Sequence, residues 1–140
     1  MMYGSLDVSA SALSAYRTQL DVIAGNIAMK DAVRLENGAA VPFRRRVPLL
    51  GAGDPGGRAG AGGVHVSRIV EDPTPFGLRW EPDHPHAMKT GDQAGYVLTS
   101  NVDYHSEMVN AMAAARAYEV NVTVMEVTRA TARSTLRLLA

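Results

Sequence analysis

NVDYHSEMVNAMAAARAYEVNVTVMEVTRATARSTLRLLA, residues 101–140, is the stretch on which the fold turns. It contains neither Gly nor Pro, the residues that most readily interrupt a helix. Alternating steps of three and four from Met108 reach Met108, Ala111, Ala115, Tyr118, Val122, Met125, Arg129, Ala132, Leu136 and Leu139, and only Arg129 in that series is charged. This is a heptad seam, the pattern of a helix that buries one narrow stripe against another helix. A second, sparser stripe holds Val109, Met112, Val120, Val127, Ala130 and Leu138. Asp103 stands where an N-cap belongs, before Tyr104. Ser106 and Glu107 give the first turn a polar, acidic character that suits the positive end of the helix dipole. The expectation is one helix of roughly 36 residues, about 54 Å long, with two faces that need partners.

The first partner lies at the other end of the chain. The same stepping over residues 6–30 gives Leu6, Ser9, Leu13, Tyr16, Leu20, Ile23, Ile27 and Lys30, apolar from Leu13 to Ile27 except for the Tyr16 hydroxyl. Ser5 is placed as its N-cap with Asp7 in the first turn, and the helix is expected to end near Ala28 or Met29. Two seamed helices at opposite ends of a short chain are expected to pair antiparallel, as a coiled coil. The second stripe on the longer helix is left over, and points to helices of other chains. Arg129 either lays its stem along the helix with the guanidinium in water, or pairs with a carboxylate: an acidic residue of another subunit, or Asp7, which the antiparallel hairpin brings near the C-terminal part of the long helix.

Between the helices the period changes. Phe43, Val47 and Leu49 share one phase of an alternating stretch, with Arg44 and Arg46 on the other, so a strand with one solvated side is expected there, Pro48 pointing outward. Residues 51–63, GAGDPGGRAGAGG, form a flexible Gly-rich loop. Residues 64–71 make a second strand, with Ile69 out of phase and a bulge expected near Ser67. Leu78 and Trp80 mark a third extended piece, and residues 95–99 a fourth. Pro73, Pro75, Pro82 and Pro85 exclude helix between them. The fold class is therefore α+β: residues 1–30 and 101–140 form a helical domain, and residues 31–100 an inserted β-rich module.

Composition narrows the function. Fourteen basic and fourteen acidic residues cancel, which argues against nonspecific nucleic-acid binding. There is no Cys, hence no disulfide and no thiolate metal site. No run approaches the ~18 apolar residues of a membrane span. The first residues lack the basic and apolar regions of a cleaved signal peptide. His84 and His86 suggest a metal-dependent enzyme or binding module, but a third ligand is missing, and His65 and His105 are scattered. The Gly-rich loop lacks the Lys and Ser or Thr that end a phosphate loop. Asn121 begins a glycosylation sequon inside a helix, which has no use there. Arg44, Arg45 and Arg46 are expected to be a solvated strand face. No catalytic cluster, metal site or cofactor site is expected.

Three stretches give the chain a likeness. SALSAYRTQLDVIAGNIA, residues 11–28, resembles the N-terminal motif of flagellar rod and hook axial proteins. EMVNAMAAARAYEVNVTVMEV, residues 107–127, resembles their C-terminal motif. GVHVSRIVEDPTPFGLRWEPDHPHA, residues 63–87, with GYVLTSNVD, residues 95–103, resembles the proximal-rod type, the FlgC family. A distal-rod subunit would resemble this chain only at its ends, around a larger insertion. Where the family has ANNIANANT this chain keeps Asn26, while Gly25 and Met29 replace asparagines. Asn26, Asn101, Asp103, Asn110, Arg116, Tyr118 and Asn121 are the family-motif positions.

The resemblance implies a structural subunit of the basal-body rod. It would assemble helically with copies of itself and other rod subunits into the proximal drive shaft across the periplasm. Its helices would surround a channel with the β module outside. The flagellar export apparatus would secrete it without a cleaved signal, with no nucleic-acid partner and no membrane insertion. Leu13, Tyr16, Leu20, Ile23, Ile27, Met108, Tyr118, Val122, Met125, Leu136 and Leu139 are the expected assembly seam.

Overall fold

The computed structural model describes residues 2–53 and 62–139. Helix α1 (Met2–Met29) and helix α2 (Tyr104–Leu139) enclose six strands in sequence: β1 (Val33–Glu36), β2 (Ala39–Pro42), β3 (Arg46–Ala52), β4 (Val64–Glu71), β5 (Gly77–Trp80) and β6 (Tyr96–Thr99). The architecture is α+β, with the two terminal helices packed together. They run antiparallel, since Asn26 at the end of α1 bonds Glu107 at the start of α2.

The start of α2 follows its sequence. The amide of Ser106 donates to Asp103 Oδ2 at 2.9 Å, and that of Glu107 to the Asp103 carbonyl at 3.0 Å. The first of these satisfies an otherwise unpaired amide of the first turn, and the second is the first regular bond of the helix. The start of α1 does not. Ser5 lies inside the helix, which begins at Met2, because a lone Gly4 so near a helix end does not stop it.

The line along which the helices touch is offset from the expected seam. On α1 the buried residues are Ser9, Ala12, Ala15, Ile23 and Asn26; on α2 they are Glu107 and Ala114. Small side chains let the helix axes approach. Larger residues then spread along the edges of the contact: Leu13, Tyr16, Leu20, Ile27, Tyr118, Val122 and Met125 are half-buried. Among the described residues Ile23 is the one large aliphatic side chain buried in the helix contact, 5% exposed, a burial that contributes roughly 1.5–3 kcal/mol.

The inserted residues form three antiparallel two-stranded ribbons, β1–β2, β3–β4 and β5–β6. The β3–β4 ribbon lies along α1. Its Arg46 end bonds Asn26, and the Val64 amide at its other end donates to Ser11 Oγ at 3.1 Å. The bulge falls where the pattern placed it: Leu49 pairs with Arg68 and Leu50 with Val66, leaving Ser67 without a partner across the ribbon. The Gly53 amide donates to the Gly63 carbonyl at 2.9 Å, so the ends of the Gly-rich stretch are joined, while residues 54–61 lie outside the described part.

Two expectations are corrected here. The β1–β2 hairpin had not been anticipated. Its turn, Asn37 at φ 51° and Gly38 at φ 80°, is the tight reversal that an Asn-Gly pair favours. The strand expected from Phe43 starts only at Arg46, because the chain leaves β2 at Pro42 and crosses between ribbons through residues 43–45. Those residues carry no ladder, and their side chains are free to turn inward.

Candidate functional site

Arg45 uses that freedom. Its Nε and Nη2 both donate to Glu107 Oε1 at 2.8 Å, and its Nη1 donates to Asp72 Oδ2 at 3.0 Å. Glu107 is 1% exposed, and its Oε2 accepts from Asn26 Nδ2 at 2.8 Å. A carboxylate so deeply buried is tolerable only when both oxygens are paired with good donors, and here they are. The Asn26 amide also takes up the backbone of Arg46, accepting from its N–H at 2.9 Å and donating to its carbonyl at 2.8 Å. Those two bonds copy what a neighbouring strand would make.

Asn101 ties the preceding residue to the turn after β4. Its Oδ1 accepts from the Arg45 amide at 2.8 Å, and its Nδ2 donates to the carbonyls of Asp72 and Thr74. Arg44 donates to those same carbonyls at 2.9 and 3.0 Å and lies 4.2 Å from the centre of the Phe76 ring. So the arginine triplet is not a solvated strand face: Arg44 and Arg45 are structural cations. Four segments meet at this knot, namely the end of α1, the start of β3, the turn after β4 and the start of α2.

The knot sets its own electrostatics. Hydrogen bonds from the Thr74 hydroxyl and amide, helped by Arg45, hold the Asp72 carboxyl down to about 2. The Ser106 hydroxyl and amide lower that of Asp103. Burial opposes the charge on Arg45, but its bonds to Glu107 and Asp72 outweigh burial and raise its pKa.

The family-motif residues are therefore not one group. Asn26, Asn101 and Asp103 belong to the knot and its cap. Asn110 and Tyr118 are half-buried along α2, Asn121 donates to the Ala117 carbonyl, and Arg116 pairs on the surface with Glu119 at 3.0 Å. Arg45, Asp72 and Glu107 had not been singled out as partners. The available signal was Asn26, one of the family-motif positions, which lies three places after Ile23 on the face of α1 that packs.

The expected assembly seam splits too. Ile23 is buried inside the chain, and Leu13, Tyr16, Leu20, Ile27, Tyr118, Val122 and Met125 line the edges of the contact. Met108 and Leu136 are exposed, at 39% and 65%; the side chain of Leu139 lies outside the described part. Away from α1, helix α2 carries Val109, Met112, Val120, Val124 and Val127, each 45–60% exposed. Among the described residues no ion pair joins Arg129 to Asp7. Nor does any group of three or more His, Cys, Asp or Glu come together to hold a metal. His84 serves its turn, Nδ1 accepting from the His86 amide at 3.1 Å. Among the described residues no helix is long and apolar enough to cross a membrane.

Comparison with known proteins adds the context. Residues 93–138 match the family described as flagellar basal body rod FlgEFG protein C-terminal. The flagellar basal-body rod protein FlgC of Bacillus subtilis is 41% identical over 140 residues, covering 91% of this chain and 91% of its own. That of Yersinia enterocolitica is 40% identical, covering 94% and 93%, and that of Borreliella burgdorferi 34% identical, covering 99% and 97%.

Proposed function

Because this chain belongs to the FlgC family of flagellar basal-body rod proteins, and is a structural subunit of the basal-body rod, we propose that it builds the proximal part of that rod by helical assembly. The observation that carries this reading is the apolar row on the outer face of α2. Val109, Met112, Val120, Val124 and Val127 are exposed in the single chain. An apolar stripe opposite an already occupied face is the signature of a helix that packs on both sides. The neighbours are further copies and other rod subunits, reached through these residues and the half-buried edges at Leu13, Leu20, Ile27, Tyr118 and Val122.

In this reading residues 1–30 and 101–140 form the assembling unit. Residues 31–100 form an outward module held to it by the Arg45 knot. The subunit works by geometry alone, without catalysis or cofactor, in the periplasm-spanning shaft, and reaches it through the flagellar export apparatus. Val120→Asp with Val124→Asp tests the stripe. Both positions are exposed, so the purified subunit should unfold within about 0.5 kcal/mol of the parent. Cells carrying the pair should make the protein yet lack finished basal bodies and motility. Normal motility would overturn the role of this face.

A further inference from the structure

The strands of the inserted module fall into two sets. The β3–β4 ribbon packs on α1 and so belongs to the helical frame. The β1–β2 and β5–β6 ribbons pack on each other through β2 and β6, and among the described residues no strand of either comes against α1, α2, β3 or β4. The buried side chains divide the same way. Ala12, Ala15, Ile23 and Ala114 lie on the helices, and Pro42 and Val97 on β2 and β6. The outer set is also braced within itself. Trp80 meets Tyr96 edge-on at 4.9 Å, and its ring lies against Gly95, where any Cβ would collide with it.

Four stretches of chain cross from one set to the other, and all four are gathered at the knot. The Phe43 amide donates to the Ala32 carbonyl at 2.9 Å, and the Asp72 amide to the Arg45 carbonyl at 2.8 Å. Arg44 and Asn101 hold the turn after β4 through the carbonyls of Asp72 and Thr74, and Phe76 lies under the Arg44 guanidinium. Away from these crossings the sets separate. The last half of α1 and the end of β4 face the β1–β2 hairpin across an open groove of about 650 Å³. Met29, Val33 and Ile69 on its walls remain 43–48% exposed. Asp21, Glu71 and Arg46 stand on the frame side and Arg34 on the hairpin side, with Arg44 between them, a mixture of charges that selects no one ligand. Two bodies joined at one polar point, with an open gap beside it, have little to fix the angle between them.

We propose that the β1–β2 and β5–β6 ribbons move as one arm, that the knot is its pivot, and that the groove is the clearance into which it swings. Closing carries Val33 and Val41 of the hairpin toward Val22 and Ile69 of the frame, and Arg34 toward Asp21 and Glu71. Neither closing nor opening disturbs the helix contact, or the bonds of Asn26 to Arg46 and Glu107, which lie wholly within the frame. The pivot does not depend on the assembly reading above, but extends it. Identical subunits can keep one packing of their helices while their arms lean at different angles on unlike neighbours.

The absence of native Cys opens the purified full-length chain to paired spin labels. Asp21→Cys with Arg34→Cys spans the groove, Asp21→Cys with Arg68→Cys stays inside the frame, and Arg34→Cys with Arg79→Cys stays inside the arm; all four positions are exposed. Pulsed electron spin resonance should give narrow distance distributions for the two internal pairs and a broader or two-peaked one across the groove. Arg44→Ala, which removes the bonds to the Asp72 and Thr74 carbonyls, should broaden the groove distance further and leave the internal pairs as they were. A groove distance as narrow as the internal ones would overturn the moving arm, and a broad distance inside the arm would overturn its rigidity. With the helices intact by circular dichroism, broadening of none of the three pairs by Arg44→Ala, or of all three, would take the pivot away from the knot. Should Arg44→Ala unfold the chain, Phe76→Leu, which removes only the ring under Arg44, serves in its place. Every outcome is read on the isolated chain, so a failure here leaves the rod reading to its own test.

Discussion

The two ends of α2 obey different rules. Its first turn is saturated by this chain: Asp103 caps it, and Glu107 is gripped by Asn26 and Arg45. Its last turn is bare among the described residues, with Leu136 65% and Leu138 87% exposed. One helix thus passes from a position fixed by its own sequence to one that needs another molecule. The buried packing line runs along most of α1, from Ser9, Ala12 and Ala15 to Ile23 and Asn26, and most of the large side chains of the contact stand at its edges, where a second chain can use them.

The sharpest way to break this contrast is Glu107→Ala. It strips Arg45 and Asn26 of their shared acceptor in a buried site, a loss of about 3 kcal/mol. Urea denaturation should show the midpoint falling accordingly. A loss under about 0.5 kcal/mol would mean the knot is ornamental to folding, since that is the scale of an ordinary surface change.

Acid should act in the same place, more gently. Unfolded, Asp72 and Asp103 take up protons near pH 3.8; folded, Asp72 resists protonation down to about 2 and Asp103 is also lowered. Between those limits the unfolded chain binds more protons, so stability falls as pH drops. Their contribution is complete above roughly pH 4–5 and lost as the pH falls toward 2. In Asp72→Asn the thermal midpoint should depend less on pH across that window. An unchanged acid dependence would remove Asp72 from the account.

The smallest effect is expected at the bare end. Arg129 is exposed, so Arg129→Leu should move the unfolding midpoint of the isolated subunit by no more than about 0.5 kcal/mol. A larger loss would give Arg129 a partner inside the chain and erase the contrast. With stability unchanged, a fall in the number of hook-basal bodies counted by electron microscopy would assign Arg129 to a neighbour.

Much of the helical frame was legible because a heptad repeat and an N-cap are local signals. Asp103, the length of α2, the end of α1 and the Ser67 bulge were all read from neighbours a few residues away. The knot was not. Glu107 looks like any acidic residue of a first turn, and Arg45 like the middle of a charged run, until residues 62 positions apart are brought together. Asn26 stood out only as a family-motif position, one residue before the expected seam position Ile27. The β1–β2 hairpin is a different case: Asn37-Gly38 announced it, but its strands are only four residues each, and the second, Ala39–Pro42, has no alternation to mark it.

Asn26 has a further consequence. Its amide reads the backbone of Arg46 as a strand would, from a side chain that belongs to a helix. It works as an index pin between two rulers, one graduated every 3.6 residues and the other every two. The chain between the marks, residues 27–45, leaves on an excursion through the hairpin and returns to the pin. Length can therefore be added to or removed from that excursion without moving either scale. A single residue lost from β3 past Arg46, or from α1 before Asn26, re-phases everything beyond it.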